Sequence, residues 1–247
     1  MNNKEFHILI PARLDSTRLP RKALADLGGR PMILRTLDRA LDSGAASVTV
    51  ATDSEEIAAV VRNAGGEAML TDPAHRSGTD RLAEAAVRLG LDSSAVVVNL
   101  QGDEPAMPAA CLRQVAALLA EDEAADMATL WQPLADEAQW RDPNVVKLVA
   151  DYKRRALYFS RAPIPWPRAG GGPGEAGCRH VGLYAYRASS LAAWTKLPES
   201  RLEALESLEQ LRALEAGWRI LADRACAPIP VGIDTPEDLE RFRATLD

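Results

Sequence analysis

The chain has 247 residues, 47% of them apolar and 26% charged, enough for one large α/β domain or two small ones. A formal charge of −6 without an extended basic face argues against nucleic acid as a partner. No apolar run reaches membrane-spanning length and the start lacks a secretory pattern, so a cytoplasmic location without membrane insertion is expected.

Residues 6–10 form a short apolar run read as a strand. It empties into I-P-A-R-L-D-S-T-R-L-P-R-K at 10–22, where Arg13, Arg18, Arg21 and Lys22 face one acid, Asp15. Such a basic, hydroxyl-bearing loop suits phosphate oxygens, because fixed cations and backbone N–H groups stabilise them. A solvated surface loop is the competing reading. Helical periods follow at 31–43, 55–63, 78–89 and 108–120, with strands between them at 47–51, 67–70, 95–100 and 126–131. Pro31 suits a first helical position, Ser54 an N-cap, and Gly44 and Gly65 suit helix stops.

This alternation predicts a mostly parallel, Rossmann-like sheet with helices on both faces. Ligands of such sheets bind beyond the carboxyl ends of the strands. That rule puts residues 11–22, 52–53 and 101–105 on one rim.

The second half reads differently. Three prolines fall in 161–168, and A-G-G-G-P-G-E-A-G at 169–177 predicts a turn-rich, mobile connection. Residues 181–186 look like a strand and 202–216 like one helix. Stretches 219–222 and 230–233 could return to the sheet, and 235–246 reads as a closing helix capped by Thr235. A single domain over 1–247 is expected, with a smaller sheet lobe inserted around 130–190.

Asp103, directly after an apolar run, is a plausible Mg²⁺ ligand on the binding rim, with N-capping of the next helix as the alternative. Asp234 occupies a similar place between an apolar run and a helix. Two rim carboxylates are what one Mg²⁺ on a triphosphate uses. The polar stretch 75–81 could hold a base, ribose or carboxylate, or simply start a helix. Arg161, His180 and Tyr184 offer a cation, an imidazole and a phenol; His180 could equally be an interior hydrogen-bonded side chain. Acids at 203, 206 and 209 read as a solvated face or as the lining of a polyol pocket. Cys111, Cys178 and Cys226 are far apart and form no C-x-x-C pair, which favours buried free thiols over disulfides or a zinc site.

Together these stretches resemble 3-deoxy-D-manno-octulosonate (Kdo) cytidylyltransferases, the CMP-Kdo synthetases. The matching motifs are I-P-A-R-x-x-S-T-R-L-P-x-K at 10–22, A-T-D at 51–53, S-G-T-D-R-L-A-E at 77–84 and N-L-Q-G-D-E-P at 99–105. A-L-Y-F-S-R-A-P-I-P-W at 156–166, R-H-V-G-L-Y-A-Y-R at 179–187, L-E-Q-L-R at 208–212 and G-I-D-T-P-E-D-L-E at 232–240 continue the series.

The resemblance implies a nucleotide-diphospho-sugar transferase type of fold. It also implies a Mg²⁺-dependent, cytoplasmic homodimer that makes CMP-Kdo and pyrophosphate from CTP and Kdo for lipopolysaccharide synthesis. The anomeric hydroxyl would attack the CTP α-phosphorus. By the same resemblance Arg13, Ser16, Arg18 and Lys22 would hold the triphosphate, with Arg13 and Lys22 catalytic. Asp103 and Asp234 match the metal ligands, and Arg76, Ser77 and Gln101 would lie near nucleotide or sugar. Arg161, His180, Tyr184, Glu206 and Gln210 would form the sugar pocket.

The chain departs from the family pattern at Arg21-Lys22-Ala23-Leu24, in place of G-K-P-L, and at Trp166-Pro167-Arg168, in place of W-D/E-R. Those departures bear on the sugar and leave 8-amino-Kdo as an alternative acceptor; a CMP-sialic acid synthetase, with a similar sheet and loop, is a separate rival against which the stretches 162–166 and 179–187 favour Kdo. A nucleotide-sugar glycosyltransferase is a rival, but Asp103-Glu104-Pro105 lacks a D-x-D. A non-catalytic nucleotide-binding module is the third reading.

Overall fold

Strand β1 (Phe6–Ala12) sends Ile8 and Ile10 to one face and Leu9 to the other, all three buried. Both faces therefore need cover, and amphipathic helices supply it. The computed structural model describes residues 5–16 and 18–246; Thr17 of the basic loop lies outside the described residues. On one face pack α1 (Met32–Leu41), α2 (Glu55–Asn63) and α4 (Ala109–Glu121), through Ile33, Leu37, Ile57, Val61, Leu112 and Val115. On the other lie α3 (Gly78–Arg88) and α6 (Ala188–Trp194), through Leu82, Ala86, Leu191 and Trp194.

β2 (Ser47–Thr52), β3 (Glu67–Leu70) and β4 (Val96–Asn99) run parallel to β1. β5 (Met127–Pro133), β8 (Cys178–Arg187) and β9 (Ile220–Arg224) complete the main path, in the order β3-β2-β1-β4-β8-β5-β9. Only β8 opposes the rest of that path, being antiparallel to β4 and to β5, while β9 is parallel to β5. The mostly parallel α/β sheet expected from the alternation is what forms.

The span 130–190 carries a short helix α5 (Glu137–Arg141) and an antiparallel hairpin of β6 (Lys147–Ala150) and β7 (Ala156–Ser160). Sequence patterning did not single these strands out. The hairpin joins the main sheet by pairing Lys147 and Leu148 with the start of β8. Lys147 reads as a polar surface position, yet its side chain is fully buried. Its ammonium donates to the carbonyls of Asp142 (2.8 Å), Val145 (2.5 Å) and Arg161 (2.7 Å), which tie a turn to the end of β7.

Two expectations are corrected. The single helix over 202–216 is two, α7 (Arg201–Glu206) and α8 (Gln210–Glu215), broken where Ser207 takes φ 51° in the left-handed region. Arg161 stabilises that break by donating to the carbonyls of Glu206 (2.6 Å) and Ser207 (3.3 Å), which a continuous helix would engage internally. Residues 230–233 do not return to the sheet; Ile233 instead donates its N–H to the carbonyl of Asp103 at 3.0 Å.

The closing helix α9 (Pro236–Arg243) starts at Thr235 with a reciprocal capping box to Asp238, as the sequence predicts. A small apolar cluster of Leu19, Leu27, Met32, Ile233 and Leu239 packs the basic loop against this helix and the segment before it. Among the described residues no helix is long and apolar enough to cross a membrane.

The carbonyl cage around Lys147 predicts a stability effect. Lys147→Met leaves three inward carbonyls without their donor and should lower unfolding free energy by about 3 kcal/mol in urea titrations. A loss under about 1 kcal/mol would show that the cage closes by relaxation or admits water.

Candidate active site

The parallel strands end on a common rim, and three loops from distant sequence meet there. The loop after β1 holds Lys22 in a short 3-10 turn (Lys22–Leu24) that follows Arg21, a non-glycine residue at φ 56°. That left-handed residue redirects the chain; its guanidinium bonds Glu56 in the first turn of α2. The loop after β4 is drawn close to β1, because a Cβ on Gly102 would stand 3.1 Å from the Pro11 carbonyl. Thr36 of α1 donates to the Gly102 carbonyl at 3.0 Å and holds this loop down. Asp103 follows directly.

The Lys22 ammonium donates to Asp103 at 2.5 Å and to Asp234 at 3.0 Å. Arg18 reaches the same Asp234 oxygen at 3.1 Å. Burial disfavours the charge on Lys22, but Asp103 and then Asp234 outweigh it and raise its pKa above the usual lysine value. These groups line a cavity of about 330 Å³ together with Arg13, Ser16, Arg76, Ser77 and Gln101. Every phosphate-side residue singled out from the sequence therefore faces one space. Ser77 also caps α3, its hydroxyl accepting from the Asp80 N–H at 3.1 Å, so the structural reading of that residue holds as well. Arg81, on the same wall, is fixed by Asp53 at 2.6 Å and by Thr71.

A second cavity of about 320 Å³ adjoins the first, and Gly78, Gln101 and Glu209 line both. His180, Tyr184 and Gln210 line the second. The His180 ring lies between Phe159 and Tyr184 and shares a hydrogen bond with Thr129 at 3.1 Å. Desolvation, then the neighbouring Arg179 charge, lower its pKa to about 3, so it is a neutral imidazole at physiological pH. The enclosed Tyr184 hydroxyl and Trp194 indole N–H lack hydrogen-bond partners among the described residues, and both rings line this cavity.

Arg161 and Glu206 are placed differently from the sequence expectation, since neither lines these two cavities. Glu206 accepts from the Ser160 hydroxyl (2.7 Å) and the Arg161 backbone N–H (2.8 Å). The Arg161 guanidinium donates to the carbonyls of Glu206, Pro143 and Ser207. Both side chains brace the corner from which Glu209 and Gln210 extend.

Sequence reasoning did not single out Asn99, Tyr186 and Trp194 as cavity residues, and it left Glu209 between a solvated face and the lining of a polyol pocket. Glu209 accepts from the Thr79 hydroxyl at 3.1 Å, and crowding by the surrounding chain raises its pKa. On an ideal helix it turns away from Glu203 and Glu206. The break at Ser207 aims it at the site, and no local sequence pattern announces that break.

Comparisons with known proteins identify the family. A sequence profile described as cytidylyltransferase matches residues 7–220. A 3-deoxy-manno-octulosonate cytidylyltransferase from Leptothrix cholodnii is 52% identical over 244 residues, covering 96% of this chain and 90% of the relative. One of the same name from Polynucleobacter necessarius is 51% identical, covering 98% and 96%. Among solved structures, a CMP:2-keto-3-deoxy-manno-octonic acid synthetase complexed with CTP superposes with TM-score 0.90 at 41% identity, over 98% of both chains. A 4-diphosphocytidyl-2C-methyl-D-erythritol synthase, 14% identical over 99% of each chain with TM-score 0.66, shares the fold.

Half-buried Glu104 beside this rim predicts a pH effect. Burial, then the adjacent Asp103 charge, outweigh the opposing Arg179 and push its carboxyl up to about 8 from an ordinary 4.5. The folded chain thus keeps a proton that the unfolded chain releases. The associated stability is complete below about 4.5 and is lost as pH rises through about 8. Urea titrations without divalent cations should show wild-type stability falling relative to Glu104→Gln between about pH 5 and about pH 8. Parallel profiles would contradict the shifted carboxyl.

Proposed function

The chain belongs to the 3-deoxy-manno-octulosonate cytidylyltransferases, and from that premise we propose that it makes CMP-Kdo and pyrophosphate from CTP and Kdo for lipopolysaccharide synthesis. The observation that carries this reading is the Lys22–Asp103–Asp234 cluster on the wall of a guanidinium-rich cavity, beside an aromatic-lined cavity that shares Gly78, Gln101 and Glu209 with it. Phosphate belongs in the first and a polyol acid in the second.

Arg13, Ser16, Arg18 and Lys22 bind the triphosphate, and Arg76 and Ser77 border the nucleotide. Their fixed charges match the negative charge that develops on the α-phosphate and the departing pyrophosphate. Gln101 and Glu209, on the shared wall, hold the sugar beside the α-phosphorus, which its anomeric hydroxyl attacks. His180, Tyr184 and Gln210 hydrogen-bond the remaining hydroxyls, the imidazole through the ring nitrogen that Thr129 leaves free. The unpartnered Tyr184 hydroxyl gains an acceptor there.

The donor set fits Mg²⁺: two hard carboxylates converge on a point that a cation, the Lys22 ammonium, already marks. Asp103 and Asp234 would hold the ion, which when bound supplies charge neutralisation at the phosphate oxygens. With the carboxylates so engaged, the Lys22 ammonium would be free to face the phosphates. We place the enzyme in the cytoplasm, where CTP is available, as a homodimer. Support for the dimer comes from Tyr152, Leu157 and Trp166, apolar side chains exposed within the span 130–190.

The decisive measurement is pyrophosphate release from CTP with Kdo, 8-amino-Kdo and sialic acid offered separately. Turnover should be highest with Kdo; release with sialic acid alone would remove the assignment. Asp103→Asn and Asp234→Asn should each lower kcat/KM by on the order of 10²-fold or more, and should weaken the response to Mg²⁺. Wild-type turnover in either variant refutes that residue's metal role.

A further inference from the structure

All three cysteines are free, as the sequence predicts, but only Cys111 is buried, and Cys111 and Cys226 face each other. Cys111 lies in the first turn of α4, fully buried, while Cys226 follows β9 and is exposed. They are 115 positions apart in the chain, yet their Sγ atoms are 3.9 Å apart. The approach is held by Gln114, one turn along the helix. Its amide donates to the Arg224 carbonyl at 2.7 Å and accepts from the Cys226 N–H at 2.8 Å. The Cys111 thiol also points at the Ala227 carbonyl, 3.8 Å away. Cys178 stands apart from this pair, its thiol directed at the Ala176 carbonyl.

We infer that Cys111 and Cys226 form a dithiol modification site, which a hydroperoxide converts to an intramolecular disulfide that slows the enzyme. The two thiols have unequal chemistry. Cys226 is open to solvent and able to meet an oxidant, whereas burial pushes the Cys111 thiol up to about 11 and shields it. The Cys226 thiolate attacks the peroxide, the O–O bond breaks, and water or an alcohol leaves while Cys226 becomes a sulfenic acid. The Cys111 sulfur then attacks the sulfenic sulfur. The S–O bond breaks, and the departing hydroxide takes the Cys111 proton and leaves as water. Two thiols have lost two electrons, and one hydroperoxide has been reduced.

The consequence for activity follows from where the bridge lies. Asp103 is eight residues before Cys111, and Asp234 is eight residues after Cys226. At their far ends these two segments are already joined by the Ile233 N–H to the Asp103 carbonyl. A disulfide closes the near end, so the segments become two sides of one frame that carries both acids, closed by a covalent bond at one end and a hydrogen bond at the other. The sulfurs must approach by roughly 1.9 Å to bond, and the irregular segment at 225–235 is the side free to give.

The test treats reduced wild-type enzyme with hydrogen peroxide and reads intact mass, non-reducing peptide maps and pyrophosphate release. The expected result is a loss of about 2 Da, a Cys111–Cys226 linked peptide, and turnover lowered several-fold and restored by dithiothreitol. Cys226→Ser should match the reduced wild type in turnover and keep that rate in peroxide without forming a link. Oxidation of Cys226 to a sulfinic acid without a link, a link to Cys178, or a Cys111–Cys226 link with unchanged turnover would each overturn the inference. The mass readout does not depend on the sugar. The turnover readout rests on the proposed reaction, whose failure would show separately as an inactive reduced control.

Discussion

The ammonium of Lys22 is the contact on which the rim is organised. Two carboxylates within reach of one atom repel each other, and that arrangement persists only with a cation between them. The lysine comes from the loop after the first strand, one acid from the loop after the fourth, and the other from just before the last helix. Separations of 81 and 212 residues are thereby brought to a single point. Apolar packing of Leu19 and Met32 against Ile233 and Leu239 sets the distance, and the charges set the register. A site built this way is balanced in charge without ligand.

The two cavities beside this point divide the chemistry between them. The first presents guanidinium groups, a lysine and a helix start, which favour concentrated negative charge. The second presents an imidazole held neutral, the carboxamides of Asn99, Gln101 and Gln210, the Glu209 carboxyl and a run of rings from His180 through Tyr184 and Tyr186 to Trp194. Such a wall grips a sugar by its faces and hydroxyls without attracting a second phosphate. The sheet makes the division possible: β8 turns antiparallel beside β4, so its inward side chains continue the rim that the parallel strands begin.

Much of this was legible in the sequence, for definite reasons. Alternating apolar runs and capped helical periods in the first half exposed the parallel sheet, and the rule for where such sheets bind ligands placed Arg13, Lys22 and Asp103 together. Asp234 could be read because Thr235, Pro236 and Asp238 mark a helix start unambiguously. What stayed hidden depends on distant contacts. Lys147 looks like surface until three carbonyls surround it. Glu209 looks like a helix face until Arg161 captures the carbonyls that break the helix at Ser207. Arg161 and Glu206 have the residue types of a sugar pocket, and only their hydrogen bonds reveal them as its brace.

The shared wall formed by Gly78, Gln101 and Glu209 has a thermodynamic consequence. Two ligands that press on the same side chains are linked, and a coupling free energy between binding sites is reciprocal. Whatever filling the first cavity does to affinity in the second, filling the second does equally to affinity in the first. The carboxylate of Glu209 and its bond to Thr79 give that linkage a physical carrier. The wall thus makes the order in which the cavities fill a matter of free-energy coupling as well as of access.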